Sequence, residues 1–155
     1  MTIDDDITFL EQVPILALLG RDALRILAIG VEARYVHAGE ALFEAGEAAD
    51  GGYVVQNGAF TLRSDTADPH PPEITVSRGA LLGESALFTE TIRPVTATAR
   101  EPSSVIRISR SLFLKMLESY PEAALRLRDY LARRVQQTAR EIAGVRVLLD
   151  PDSAK

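Results

Sequence analysis

Apolar residues recur at helical spacing only toward the two ends of the chain, and the middle runs in short β-prone stretches broken by glycine. From about Thr8 to Ile29 the residues Phe9, Leu10, Val13, Leu16, Leu19, Leu24, Leu27 and Ile29 carry the first helical pattern, which Pro14 and Gly20 interrupt. This predicts two short helices within about residues 7–32. Between about residues 33 and 108 the strand-like runs are Arg34–His37, Ala41–Phe43, Tyr53–Gln56, Ala59–Arg63, Glu73–Ser77, Val95–Ala99 and Ser104–Ile108. Many short strands with turn signals between them predict an antiparallel barrel or jelly roll. Gly39, Gly46, Gly58 and Gly79 stand between runs, where a reversing chain needs positive φ. Ser64–Pro72, rich in Ser, Asp and Pro, reads as an exposed hairpin loop, with a functional lid as the alternative.

The helical pattern returns over about residues 109–149. Ser109 or Ser111 can cap a helix holding Phe113, Leu114, Met116 and Leu117, which ends before Pro121, and Pro121 suits the first turn of a longer helix. There Leu131, Val135, Thr138, Ile142, Val145 and Leu149 are spaced 4, 3, 4, 3 and 4, the rhythm of a coiled-coil seam. Such a stripe can pack on the chain's own barrel or on a second copy. The reading taken is a homodimer through helix 121–149.

The length of 155 residues suits one domain, 1–155. The absence of cysteine excludes disulfides and thiolate metal sites and fits a cytoplasmic location. Asp4, Asp5 and Asp6 stand where a signal peptide needs positive charge, and charge breaks every apolar run short of a membrane span, so no membrane partner is expected. The triplet reads as solvated charge just ahead of the first helix. A net charge of −5 argues against binding nucleic acid. His37 and His70 lie far apart without a ligand pattern, so no metal is expected.

The chemistry concentrates between Gly83 and Ala99, which reads as turn, short helix, loop and strand. Gly83 and Glu84 open the short helix Ser85-Ala86-Leu87-Phe88, whose free backbone N–H groups and dipole attract an anion. Arg93 reaches the same place as the chain re-enters the barrel, and a guanidinium can fork two hydrogen bonds onto a phosphate. Glu84 would repel a phosphate alone but can accept a hydrogen bond from a sugar hydroxyl on the same ligand. Sugar and phosphate together mean a nucleotide. Neither a Walker lysine motif nor a Gly-x-Gly-x-x-Gly turn is present. Taken singly, Arg93 is an ordinary surface cation and Gly83-Glu84 an ordinary helix start; their combination carries the reading.

These residues resemble the cyclic-nucleotide-binding domain family, which includes catabolite activator protein, the kinase A regulatory subunit and cyclic-nucleotide-gated channels. Ala38-Gly39-Glu40-Ala41-Leu42-Phe43, then Gly46, Asp50, Tyr53, Val54, Val55 and Gly58, match its framework, and Arg78-Gly79 and Leu82-Gly83-Glu84 continue it. The resemblance implies a mainly β fold: an eight-stranded antiparallel β-roll of jelly-roll type, with N-terminal helices and a long C-terminal dimerisation helix. It places the cyclic phosphate over Ser85 and Ala86 against Arg93, Pro94 and Val95, with Glu84 on the ribose 2′-hydroxyl and Leu62 and Val76 around the base. Ala132-Arg133-Arg134-Val135-Gln136-Gln137-Thr138 resembles a dimerisation helix in which a threonine contacts adenine, so Thr138 is either a ligand contact or a polar seam residue.

Three positions depart from the family's pattern. Ser85 replaces an aliphatic residue, Ile92 replaces a proline common there, and Pro94 offers neither the N–H nor the hydroxyl that many members use on the phosphate. A threonine at that last place favours cyclic GMP in some relatives, so Pro94 tilts the expected ligand toward cyclic AMP. No nucleophile beside a base, metal cluster or carboxylate pair suggests catalysis. With the chain ending at Lys155, the expected protein is a regulatory receptor without a cofactor, which signals by conformational change to a separate effector protein. The alternative is a structural dimer of the same fold that has lost the ligand.

Overall fold

The computed structural model describes residues 2–64, 69 and 72–134. The chain opens with three helices, α1 Ile3–Leu10, α2 Pro14–Ala17 and α3 Arg21–Gly30, where periodicity predicts two. The first begins earlier than the apolar pattern shows because polar residues start it. Thr2 Oγ accepts from the Asp5 N–H at 3.2 Å while the Asp5 carboxylate accepts from the Thr2 N–H at 3.1 Å, a reciprocal cap. Asp4, Asp5 and Asp6 therefore lie inside the first turn rather than ahead of it. Pro14 then opens α2 at its first position, and Gly20, at φ 86°, separates α2 from α3.

The cap makes a pH-dependent prediction. The hydrogen bonds from the Thr2 backbone and hydroxyl hold the Asp5 carboxyl below its ordinary pKa. Its contribution to stability is thus complete above the ordinary carboxylate range and is lost as pH falls through the lower folded value. Asp5→Ala should lower the melting temperature at pH 7, and the gap to wild type should close in acid.

The strands are β1 Glu32–Val36, β2 Ala41–Phe43, β3 Ala48–Ala49, β4 Gly51–Asn57, β5 Ala59–Ser64, β6 Glu73–Ser77, β7 Leu81–Leu82, β8 Thr91–Ile92, β9 Val95–Ala99 and β10 Ser103–Ser109. They form two four-stranded sheets, ordered β1-β10-β4-β7 and β2-β9-β5-β6, and a two-stranded sheet β3-β8, with antiparallel pairing throughout. Among the described residues the count is ten rather than the expected eight. The seven runs visible in the sequence are seven of these strands; β3, β7 and β8 hold two residues each, too few for alternation to show. β5 and β6 pair antiparallel as a hairpin, with Arg63 opposite Glu73. Gly39, Gly46, Gly58 and Gly79 all take positive φ, as turns require.

In the sheet β1-β10-β4-β7 the central strands β4 and β10 are buried on both faces. Val54, Ile106 and Ile108 face the helices with Leu10, Leu16, Leu24, Leu27, Phe113 and Met116. Tyr53, Val55 and Val105 face the other way, onto Val36, Leu42, Phe43, Phe60 and Ala97 inside the roll. This double burial explains why Tyr53, Val54 and Val55 follow one another in β4 without polar alternation. After β10, α4 spans Arg110–Ser119, and the cap is Ser109, whose Oγ accepts from the Leu112 N–H at 3.2 Å. A fifth helix, α5, follows from Pro121 and occupies 121–134 among the described residues. Ala123 and Leu127 bury its inner face in the helical core, and Leu131, the first residue of the expected seam, packs partly buried against the same core. The rest of that seam, Val135, Thr138, Ile142, Val145 and Leu149, lies outside the described residues.

Candidate functional site

The turn after β7 is built by Gly83, at φ 80° and ψ 40°, which starts a single 3-10 turn over Glu84–Leu87. Ala86 and Leu87 are buried and anchor the turn in the protein, so Glu84 and Ser85 face outward. The chain returns through β8, and the backbone of Arg93 is locked opposite the β2–β3 connection: its N–H donates to Glu47 O and its carbonyl accepts from the Gly46 N–H, both at 2.8 Å.

With its backbone fixed there, the Arg93 side chain turns inward and is only 4% exposed. Nη2 donates to the Gly51 carbonyl at 2.9 Å. The guanidinium lies over the Phe43 ring at 4.4 Å and the Tyr53 ring at 5.5 Å, two rings that stack on each other. Nη1 is buried without a hydrogen-bond partner. Desolvation pushes the guanidinium pKa down, against Tyr53, Asp50 and Glu47, which push it up. An arginine stays charged at any such shift, so one end of a buried cation lacks its counterpart. A buried donor without a partner costs free energy and is rare in native proteins. It points to an anion supplied from outside.

Nη1 is aimed at the Gly83 backbone, where a Cβ would come within 2.3 Å of it. Gly51 is equally constrained, since a Cβ there would meet Ile108 O at 2.2 Å. Beside Arg93 opens a cleft of about 480 Å³, a usual size for a small-molecule site. Gly83, Glu84, Ser85 and Ala86 form one wall and Arg93 and Pro94 the other, with Ala49, Thr91 and Ile92 completing it. Six of the residues singled out in the sequence are thus brought together. Val95, Leu62 and Val76 are partly buried against the interior of the roll and do not line this cleft. Thr138 lies outside the described residues.

Sequence reasoning missed four parts of the site. Phe43 and Tyr53 stand in the quoted framework but count there only as strand residues, and nothing local announces that they form a shelf beneath Arg93. Arg134 lies in the quoted helix run, and its Nη1 reaches Glu84 Oε1 at 2.7 Å, which raises the Arg134 pKa. Arg110, the first residue of α4, donates through Nη1 to the carbonyls of Ala49, Ala86 and Thr89 at 3.0, 3.2 and 3.0 Å, and so fastens both walls to the C-terminal helices. A second groove, of about 510 Å³, lies where the start of α3 meets the α4–α5 turn. Of its two arginines, Arg126 is bonded to the carbonyls of Leu18 and Leu19 and the exposed Arg21 pairs with Glu11, so neither is a buried cation without a partner.

The family model for the cyclic nucleotide-binding domain matches residues 33–120, which hold all but the first residue of the roll and the whole cleft. The chain belongs to that family. An uncharacterised NTE family protein of Mycobacterium tuberculosis is 32% identical over 152 residues, which cover 95% of this chain but 26% of that protein. The chain therefore spans about a quarter of that relative's length. The cAMP-activated global transcriptional regulator of Pasteurella multocida is 29% identical over 109 residues, covering 69% of this chain and 52% of that one. Among solved structures, a cyclic nucleotide-binding-like protein from Brucella abortus superposes with a TM-score of 0.66 at 40% identity, covering 74% of this chain and 99% of that one. Membership gives the chain the fold of a cyclic nucleotide-binding, regulatory domain. No helix among the described residues is long and apolar enough to cross a membrane.

Proposed function

We propose that the cleft binds a cyclic nucleotide, cyclic AMP in preference to cyclic GMP, and that its occupancy is read out through the C-terminal helices. The observation that carries this reading is the buried, unpartnered Nη1 of Arg93 opposite Gly83. A cyclic phosphate is a monoanion of the right charge to complete it, and the pairing is strongest in a site shielded from water. Pro94 supports cyclic AMP because it lacks the hydroxyl that favours cyclic GMP, and the Pasteurella relative is named as cAMP-activated.

Glu84 then has two partners to serve. A carboxylate offers about four acceptor sites, so it can hold Arg134 and accept a ribose 2′-hydroxyl together. Through that shared carboxylate the ligand favours the position of α5 in which Arg134 reaches Glu84, and the two equilibria are linked. The protein is a non-catalytic cytoplasmic receptor that passes this change to a separate effector protein, dimerising through helix 121–149. If Pro94 has cost the site its ligand, the chain is instead an interaction dimer of the same fold.

Glu84→Gln tests the assignment. The substitution should weaken cyclic AMP about tenfold, the worth of one hydrogen bond to a charged group, and 2′-deoxy cyclic AMP, which lacks the donor, should bind both forms equally. Equal losses for both nucleotides would remove Glu84 from the ribose.

A further inference from the structure

We infer that Ser85 supplies the second phosphate donor of this cleft, in place of the one that Pro94 withholds. This rests on the cyclic-nucleotide reading above. A cyclic phosphate presents two exocyclic oxygens, and the wall carrying Arg93 meets them with one guanidinium alone. Nη2 of Arg93 spends a hydrogen on the Gly51 carbonyl, and Nη1 is the buried nitrogen without a partner. Next along that wall, Pro94 is exposed to the cleft and has no N–H.

On the opposite wall the Ala86 N–H is spent within the turn, on Gly83 O at 3.1 Å. The neighbouring side chain does better. Ser85 is exposed and lines the same cleft, and the burial of Ala86 and Leu87 behind it fixes the direction in which it faces. A hydroxyl rotates freely to suit an acceptor, and an O–H donor to an anionic oxygen is among the stronger hydrogen bonds. An aliphatic side chain at this exposed place would gain no burial and offer no donor. Ser85 is thus a ligand contact, and the donor missing from one wall stands on the other.

Calorimetric titration of the full chain with cyclic AMP and with its two phosphorothioate diastereomers tests this. Ser85→Ala should weaken cyclic AMP about tenfold and leave the melting temperature of the ligand-free protein unchanged. It should matter less for the diastereomer whose sulfur, a weak acceptor, faces position 85. Adding Pro94→Ser to Ser85→Ala should recover most of the lost affinity. Binding of Ser85→Ala within about twofold of wild type would overturn the role of Ser85 while leaving the nucleotide reading intact. If the wild-type chain binds neither cyclic AMP nor cyclic GMP, the reading and this inference fall together.

Discussion

Arg93→Met should abolish cyclic AMP binding and leave the ligand-free protein at least as stable as wild type. Removing one partner of a desolvated charge pair costs about 2–5 kcal/mol, equivalent to about thirtyfold to several thousandfold in affinity. The ligand-free protein follows a different balance. Methionine reaches about as far as the aliphatic stem and Nε of arginine, sets a flexible, polarizable thioether beside the aromatic pair Phe43 and Tyr53, and removes the unpartnered buried Nη1. Against this stands the loss of the hydrogen bond to Gly51. Exchanging a buried ion pair for apolar volume is commonly neutral or stabilising by about 1–4 kcal/mol, and the Nη1 removed here has no partner to leave behind. Thermal unfolding with and without nucleotide separates the two effects. A variant that unfolds readily without ligand would make Arg93 a structural residue.

Gly83→Ala should damage both fold and site. A residue with a Cβ in the left-handed region costs about 1–2 kcal/mol, and Gly83 sits there at φ 80°. The added methyl would also stand 2.3 Å from Arg93 Nη1 and 3.4 Å from Gly51 O. The guanidinium must leave, and the phosphate contact with it, so affinity should fall by about a hundredfold or more. Because the clash is with Nη1, combining Gly83→Ala with Arg93→Met should cost less stability than the two separate changes added together. Strict additivity in denaturation would show that Nη1 does not press on Gly83.

The cassette was legible because it is nearly contiguous: Gly83, Glu84, Arg93 and Pro94 stand within one short stretch of chain. The strands long enough to alternate and the positive-φ glycines between them were legible for the same local reason. What escaped depends on contacts distant in sequence. The shelf of Phe43 and Tyr53, the Gly51 carbonyl and the clamp of Arg110 reach the site only when separate strands and helices meet, and no spacing rule encodes that. The strands β3 and β8 are too short for periodicity, yet their pairing of Ala48 with Ile92 and of Ala49 with Thr91 builds the side of the cleft. The early start of α1 escaped because Thr2 and Asp5 make a polar signal that apolar spacing does not register. Leu62 and Val76, which the resemblance places around a base, pack partly buried against the interior of the roll, a neighbourhood that only the meeting of separate strands reveals.

Titration of the intact 155-residue chain with cyclic AMP in a calorimeter, paired with its thermal unfolding, bears most directly on the central assignment. Binding should saturate at one nucleotide per chain, and a hundredfold excess over the dissociation constant should add about 2.7 kcal/mol of stability. Absence of both binding heat and any rise in melting temperature, with cyclic AMP and cyclic GMP each at millimolar concentration, would contradict it.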